Sequence, residues 1–179
     1  MRIQNQLIIL NIIGGIFVLG GYIFALINNP SNRSELWGGM PENFRPWIVL
    51  SMFLSAFGYC YAMKYLLIDD GIPFNFFFNR FQTNFIFIVQ FIFLFSAALW
   101  IHTTFSYLNS PTSFKWVLIN LELWTTGASI LCLALGIIFI KNRPYEINYI
   151  ASVLGLLAIS FHCIFLDAFL WVNKFPKLH

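Results

Sequence analysis

Four ionisable side chains lie inside stretches of sequence that are otherwise almost entirely apolar. They are His102, Glu122, His162 and Asp167. A charged side chain in hydrocarbon costs at least ~2.5–3.5 kcal/mol, so such residues usually face a partner or a cavity. A carboxyl group and an imidazole can hold the polar end of a ligand, move a proton on a substrate, or hydrogen-bond across neighbouring helices. Which of these three roles applies depends on the helices that carry the four residues.

The composition indicates a membrane protein. The chain has 179 residues, 59% hydrophobic and 9% charged, and its mean hydropathy is +0.76, whereas soluble domains are about one quarter charged. A transmembrane helix needs roughly 20 mostly apolar residues. We therefore predict an all-α fold, a polytopic integral membrane protein whose single domain, residues 1–179, is a bundle of about five transmembrane helices. The predicted spans are approximately 6–27, 46–68, 84–108, 114–140 and 147–172.

The charge and the cysteine content limit the kinds of partner and of metal or disulfide site that we expect. The net charge of +3 is spread over the connections, so we expect the lipid bilayer and not nucleic acid as a partner. Cys60, Cys132 and Cys163 all lie inside spans, with neither a disulfide framework nor metal-ligand spacing, and we predict no metal site. The sequence leaves the cofactor open. Five of the ten Lys and Arg residues fall on each face of the bundle, so the positive-inside rule leaves the orientation and the organelle open.

Threading the five helices through a bilayer concentrates the unusual residues in one leaflet. We call the N-terminal face side 1 and the opposite face side 2. All six Trp residues and the four ionisable residues fall toward side 2. At 1.5 Å per residue, Glu122 is roughly 12 Å and His102 roughly 9 Å below that face. Trp100 and Trp124 also lie deep, so they could line a pocket, whereas the Trp residues at the rim suit an interfacial belt. His162 and Asp167, five residues apart, are predicted to diverge.

The connections and small residues predict how the helices meet. The first loop, residues 28–45, is rich in Pro and Gly and should form an irregular cover over side 2. A Phe-rich segment, residues 74–82, has the pattern of a short helix in the side 1 interface. Small residues allow close approach of helices in lipid. Each predicted helix has a stripe of small or polar residues at which we expect such contacts. The stripes are Asn11, Gly14, Val18, Gly21 and Ala25 in the first helix; Ser51, Ser55, Gly58 and Ala62 in the second; Gln90, Ala97 and Thr104 in the third; Glu122, Thr126, Ser129, Leu133 and Gly136 in the fourth; and Ala151, Gly155, Ala158 and then His162 in the fifth.

Three short segments carry a resemblance to a known family. They read Trp37-Gly38-Gly39-Met40-Pro41, then Arg45-Pro46-Trp47-Ile48-Val49 followed by Phe57-Gly58-Tyr59, and Trp116-Val117-Leu118-Ile119-Asn120-Leu121. With five helices and a long first loop, the chain resembles the translocator protein, or tryptophan-rich sensory protein, family. Its third helix, Ala98-Leu99-Trp100-Ile101-His102, lacks the Asn-Trp…Trp-Pro pattern of that family. The resemblance implies a pocket for porphyrins or sterols, open toward the first loop, and a homodimer. It also implies that Trp47, Trp116 and Asn120 are pocket residues.

Three functions from different classes follow. The first is binding or transport of a hydrophobic ligand, a sterol, porphyrin or lipid, in a Trp-rich pocket in one leaflet. The alternative is an accessory structural subunit of a larger membrane complex. A second alternative is an intramembrane sterol or lipid isomerase using Glu122 and His102 for proton transfer, so whether the protein is an enzyme stays open. The candidate ligand-binding residues are Trp47, Trp100, His102, Trp116, Asn120, Glu122, Trp124 and His162.

Overall fold

The described part of the chain is a bundle of long helices. The computed structural model describes residues 3–68, 83–139 and 146–177, and these include no strand. Five helices are long and apolar enough to cross a membrane, which confirms the predicted all-α, multi-pass membrane architecture. They begin and end within three residues of the predicted spans, whereas the Phe-rich segment 74–82 lies outside the described residues. Their bounds are α1 Ile3–Asn28, α2 Arg45–Leu67, α3 Thr83–Asn109, α4 Ser113–Ile138 and α5 Ile147–Lys174.

The helices do not pack in chain order. α1 packs on α3, α3 on α4, α4 on α5, and α5 on α2, whereas α1 and α2 touch only sparsely. α3, α4 and α5 therefore have two strong neighbours each, whereas α1 and α2 have one each. Of the residues in α1, only Leu7 and Ala25 are buried. Ile8, Leu10 and Val18 are half-buried against the core, whereas large side chains such as Ile16 and Phe24 face outward, where lipid tails can solvate them as well as protein can.

The contact between α2 and α5 is the closest helix crossing. A Cβ placed on Gly58 would lie 2.7 Å from the Cα of Gly155, so the two backbones touch. One turn away, the Ser55 hydroxyl donates to the carbonyl of Ala158 at 3.3 Å. The small-residue stripes predicted for the second and fifth helices therefore face each other, and this prediction is confirmed. Glycine at both positions is required because any side chain would have to displace backbone atoms.

A buried polar cluster ties α1, α2 and α3 together in the side 1 half. The Tyr59 hydroxyl donates to Oδ1 of Asn11. The Gln90 amide donates to the same oxygen at 3.1 Å and also to the Tyr59 hydroxyl. Gln90 retains only 1% of its accessible surface. Because polar groups in hydrocarbon are costly unless they are paired, this cluster fixes which faces of the three helices meet.

The first loop lies over side 2, as predicted. It consists of three short 3₁₀ turns, Pro30–Asn32, Ser34–Trp37 and Glu42–Phe44. The loop is held to the C-terminal end of α5, where the indole N–H of Trp171 donates to the carbonyl of Leu36 at 2.7 Å. The Gly39 N–H donates to the carbonyl of Lys174 at 3.0 Å. Gly38 adopts a φ of 53° against the ring of Phe175, a left-handed conformation that glycine accepts at no steric cost.

Candidate functional site

Three of the six Trp residues belong to one packed aromatic cluster beneath the first loop. The ring of Trp171 lies 5.8 Å from that of Trp100 and 6.4 Å from that of Trp116. Phe175 packs on Trp171 at 4.5 Å, and Tyr107 packs on Trp116 at 5.4 Å. Trp116 is only 8% exposed, so its ring surface is taken up by protein. Aromatic pairs at these separations add to the stability of the side 2 end beyond their buried area.

The remaining aromatic and amide candidates face different surroundings. Trp47 and Trp124 are 69% and 47% exposed. Trp47, near the start of α2, has the position of an interfacial anchor, whereas Trp124 lies eleven residues into α4 and faces the outer surface at depth. The amide of Asn120 donates to the carbonyl of Trp116 at 2.7 Å, within its own helix. Trp100 is half-buried, with Tyr22 at 5.6 Å on one side. Of the predicted Trp candidates, Trp100 therefore combines an interior position with accessible surface.

His162 is joined to two polar side chains. Its Nδ1 lies 2.9 Å from the hydroxyl of Ser51, and its Nε2 lies 3.5 Å from Oδ2 of Asp167. The expectation that His162 and Asp167 diverge is wrong, because residues His162–Trp171 form a π-helix. In a π-helix the backbone hydrogen bonds join residues five apart, so the two side chains come to the same face. The predicted site set omitted Asp167, because a five-residue spacing places two side chains on different faces of a regular α-helix.

Glu122 lies at the contact between α3 and α4. Its Oε1 accepts a hydrogen bond from the Thr103 hydroxyl at 2.9 Å. Its Oε2 is buried, with no hydrogen-bond partner in the described part of the chain. Thr103 comes one turn after the exposed Leu99, so this contact lies toward the outer surface of the bundle. Glu122 therefore acts as an interhelical hydrogen-bond acceptor with one oxygen left over.

His102 faces α1 instead of α4. It is exposed, and its ring lies 6.4 Å from that of Phe24. A Cβ on Gly21 would come within 2.9 Å of the His102 Nε2, so this glycine makes room for the imidazole. Among the described residues no hydrogen bond or ion pair joins His102 to Glu122. The acid and the base of the isomerase alternative thus contact different neighbours, and that alternative has no paired site to support it.

An apolar groove lies between α1 and α3, and His102 is at its side 2 end. Its volume is about 590 Å³, within the range of about 300–1,000 Å³ found for small-molecule sites. From Leu10 to Phe24 it spans roughly 20 Å along α1. The packing stripe predicted for the first helix does lie against α3, since a Cβ on Gly14 would come within 2.6 Å of Leu94, but the sequence did not predict the groove beside this contact. Its lining residues are Leu10, Ile13, Gly14, Ile16, Phe17, Gly20, Gly21 and Phe24 from α1, and Phe91, Leu94, Phe95, Ala98, Leu99 and His102 from α3.

Comparisons with known proteins do not assign this chain to a family. No family model, curated protein or solved structure matches it. The resemblance to the translocator protein family, and the pocket roles it implies for Trp47, Trp116 and Asn120, stay predictions.

The donor groups of the described residues do not form a metal centre. No group of three His, Cys, Asp or Glu side chains in residues 3–68, 83–139 and 146–177 is arranged to hold a metal ion. The pair of His162 and Asp167, with Ser51 behind it, is an array of hydrogen-bonding groups. Two arrangements could therefore take part in chemistry. One is the apolar groove with the imidazole of His102, and the other is the carboxylate of Asp167 with the imidazole of His162 beside it.

Proposed function

We propose that this integral membrane protein binds a neutral hydrophobic molecule of the bilayer in the groove between α1 and α3. The observation that carries the proposal is that a groove of about 590 Å³ with apolar walls ends at the exposed imidazole of His102. An exposed imidazole among lipid tails is costly unless a polar group meets it. A ligand whose apolar body fills the groove and whose oxygen reaches His102 would cover the apolar walls and form a hydrogen bond with the imidazole.

The depth of His102 restricts the chemistry of the ligand. The residue precedes the end of α3 by seven positions, which places it roughly 10 Å inside the side 2 face. A charged head group at that depth would have to leave the interface at a cost of several kcal/mol. The ligand therefore carries a single neutral oxygen function, a hydroxyl or a carbonyl, as sterols do. Phospholipid head groups and the propionates of porphyrins fit this position poorly.

The glycines of α1 support the same proposal. A Cβ on Gly20 would meet nothing within 4 Å, although this residue lines the groove. The missing side chains leave a channel in a helix whose other outward residues are large, such as Ile16 and Phe24. The groove is open along its length toward the lipid, so a ligand can enter sideways from the bilayer without crossing the loop over side 2.

The test uses a photoreactive sterol and two matched variants of α1. Gly20→Leu places a side chain into the groove from a position where a Cβ meets no atom within 4 Å. Gly15→Leu is the control, because a Cβ there also meets nothing within 4 Å, but Gly15 does not line the groove. The protein in nanodiscs is irradiated with the probe, and covalent labelling is quantified by mass spectrometry. We expect Gly20→Leu to lose most of the labelling and Gly15→Leu to keep it.

The polar end is tested separately with His102→Ala. One hydrogen bond contributes about 1 kcal/mol, so this variant should bind the sterol probe roughly fivefold more weakly. The analogue of the probe that lacks the oxygen cannot form a hydrogen bond with the imidazole, and its affinity should change little. Equal labelling of Gly20→Leu and Gly15→Leu would refute the groove as a binding site. A His102→Ala effect of the same size on both probes would refute the role of the imidazole.

The accessory-subunit alternative is favoured by one feature, the outward face of α1. This helix has a single strong neighbour and exposes large apolar residues along its whole length, a surface that a helix of another protein could cover. Native mass spectrometry after extraction in a mild detergent separates the two functions. A retained small molecule favours the groove, whereas a stoichiometric partner protein with no bound small molecule favours the subunit. The exposed large residues of α1 are Ile9, Ile12, Ile13, Ile16, Phe17, Leu19, Ile23, Phe24 and Ile27.

A further inference from the structure

The groove between α1 and α3 stops short of both ends of the helices that form it. Its lining residues run from Leu10 to Phe24 on α1 and from Phe91 to His102 on α3. Given the bounds of the two helices and 1.5 Å per residue, the groove begins about 10–12 Å inside the side 1 face and ends about 6–10 Å inside the side 2 face. A ligand that fills it therefore lies wholly in the hydrocarbon and crosses the middle of the bilayer.

Of the described residues that line the groove, only His102 has a side chain that can form hydrogen bonds. All the others are Leu, Ile, Phe, Ala or Gly. The imidazole is exposed, its Nε2 faces Gly21 of α1, and it has no hydrogen-bond partner in the described part of the chain. We propose that the polar group of the ligand is a carbonyl, an inference that rests on the function proposed above. The ligand class is then a lipid ketone or ester, with neither a hydroxyl nor a charged head group.

The count of hydrogen-bond donors favours a carbonyl over a hydroxyl. A neutral imidazole has one N–H, whichever nitrogen carries it, and a hydroxyl adds a second donor. One contact between the two groups pairs only one of these donors, so either the N–H or the O–H remains unpaired in hydrocarbon. A carbonyl has no donor, so a single hydrogen bond from the imidazole N–H leaves none unpaired. Because an unpaired buried donor pays its full desolvation penalty, His102 accommodates a carbonyl better than an alcohol.

The depth of the groove favours the same choice. An alcohol in a bilayer keeps its hydroxyl at the interface, where water pairs both its donor and its acceptors. Moving that hydroxyl to His102 exchanges several hydrogen bonds with water for one with the imidazole, and the withdrawal costs more than one hydrogen bond returns. A ketone or ester gives up fewer hydrogen bonds with water, because its oxygen atoms only accept. The groove is therefore selective for lipids that have no hydrogen-bond donor.

Three competitors that share the sterol rings test this choice. Cholestanone has a carbonyl, cholestanol has a hydroxyl in its place, and cholestane has no oxygen. Each is titrated, as a mole fraction of the nanodisc lipid, against labelling of the wild-type protein by the photoreactive sterol. We expect cholestanone to displace the probe at a mole fraction at least tenfold lower than cholestanol. It should also act at a mole fraction about fivefold lower than cholestane, the factor that one hydrogen bond contributes. In His102→Ala this second difference should disappear.

The outcomes separate this inference from the groove itself. If cholestanol displaces the probe from the wild-type protein as well as cholestanone does, the inference is wrong although the groove remains a binding site. It is also wrong if cholestanone and cholestane are equal on the wild type, or differ as much on His102→Ala. These wild-type comparisons do not depend on the folding of a variant. Absence of displacement by cholestanone overturns the inference too, and if Gly20→Leu is then labelled as strongly as Gly15→Leu, the proposed function fails with it.

Discussion

The crossing of α2 and α5 permits a worked prediction for Gly155→Ala and Gly58→Ala. A Cβ on Gly58 would lie 2.7 Å from the Gly155 Cα, whereas ordinary contact begins near 3.4 Å. The two helices must therefore separate by at least about 0.7 Å. The opposing atoms are backbone atoms, so no side chain can rotate away. A methyl group on Gly155 meets the Gly58 carbonyl in the same way.

The separation also breaks the two interhelical hydrogen bonds that lie one and two turns from the crossing, both toward side 2. The hydrogen bond from Ser55 to Ala158 is now 3.3 Å long, and the contact between Ser51 and His162 is 2.9 Å. A shift of about 0.7 Å would lengthen both to at least the limit of about 3.5–3.6 Å for hydrogen bonds. Overpacking costs about 1–3 kcal/mol, and each interhelical hydrogen bond in a membrane contributes about 0.6 kcal/mol. We expect either variant to lose about 2–4 kcal/mol of unfolding free energy.

Reversible unfolding in mixed micelles, followed by circular dichroism, measures this loss. Gly20→Ala on α1 is the control, because its Cβ meets no atom within 4 Å while the change in helix propensity is the same. The control should be as stable as the wild type or slightly more stable. The reasoning fails if Gly155→Ala and Gly20→Ala unfold at the same denaturant concentration. It also fails if Gly155→Ala is destabilised without any loss of the contacts at Ser55 and Ser51.

Further predictions concern the loop, the polar cluster and the groove. Trp171→Phe removes the hydrogen bond to the first loop, which lowers the unfolding free energy by about 1 kcal/mol, and it should speed trypsin cleavage after Arg33. Unchanged cleavage would mean that this bond does not hold the loop. Tyr59→Phe removes the hydroxyl that links α2 to α1 and should lower the unfolding free energy by about 0.6–1.7 kcal/mol, measured in the same micelles. Gly21→Ala pushes on His102 and should weaken photoreactive sterol labelling, and undiminished labelling would contradict the assigned position of the imidazole.

The sequence by itself determined which residues cross the membrane and which parts of the helices come close. Span bounds follow from runs of apolar residues, which the hydrocarbon thickness requires regardless of partners. The stripe that contains Gly58 and the stripe that contains Gly155 were readable because small residues at helical spacing have one use in lipid, close backbone approach. Pro and Gly in the first loop predicted an irregular cover, and its attachment to the end of α5 bears this out.

Only the tertiary structure decided what each polar side chain faces. His102 and Glu122 lie at similar depths, but the order of the helices puts His102 of α3 against α1 and Glu122 of α4 against α3. A regular α-helix would have separated His162 from Asp167, and the π-helical segment brings them to one face. The depth of a residue in the membrane follows from its position along its helix, which can be counted in the sequence. Helix rotation, neighbour order and a change of helix type depend on contacts between residues far apart in the chain, so they are set when the bundle packs.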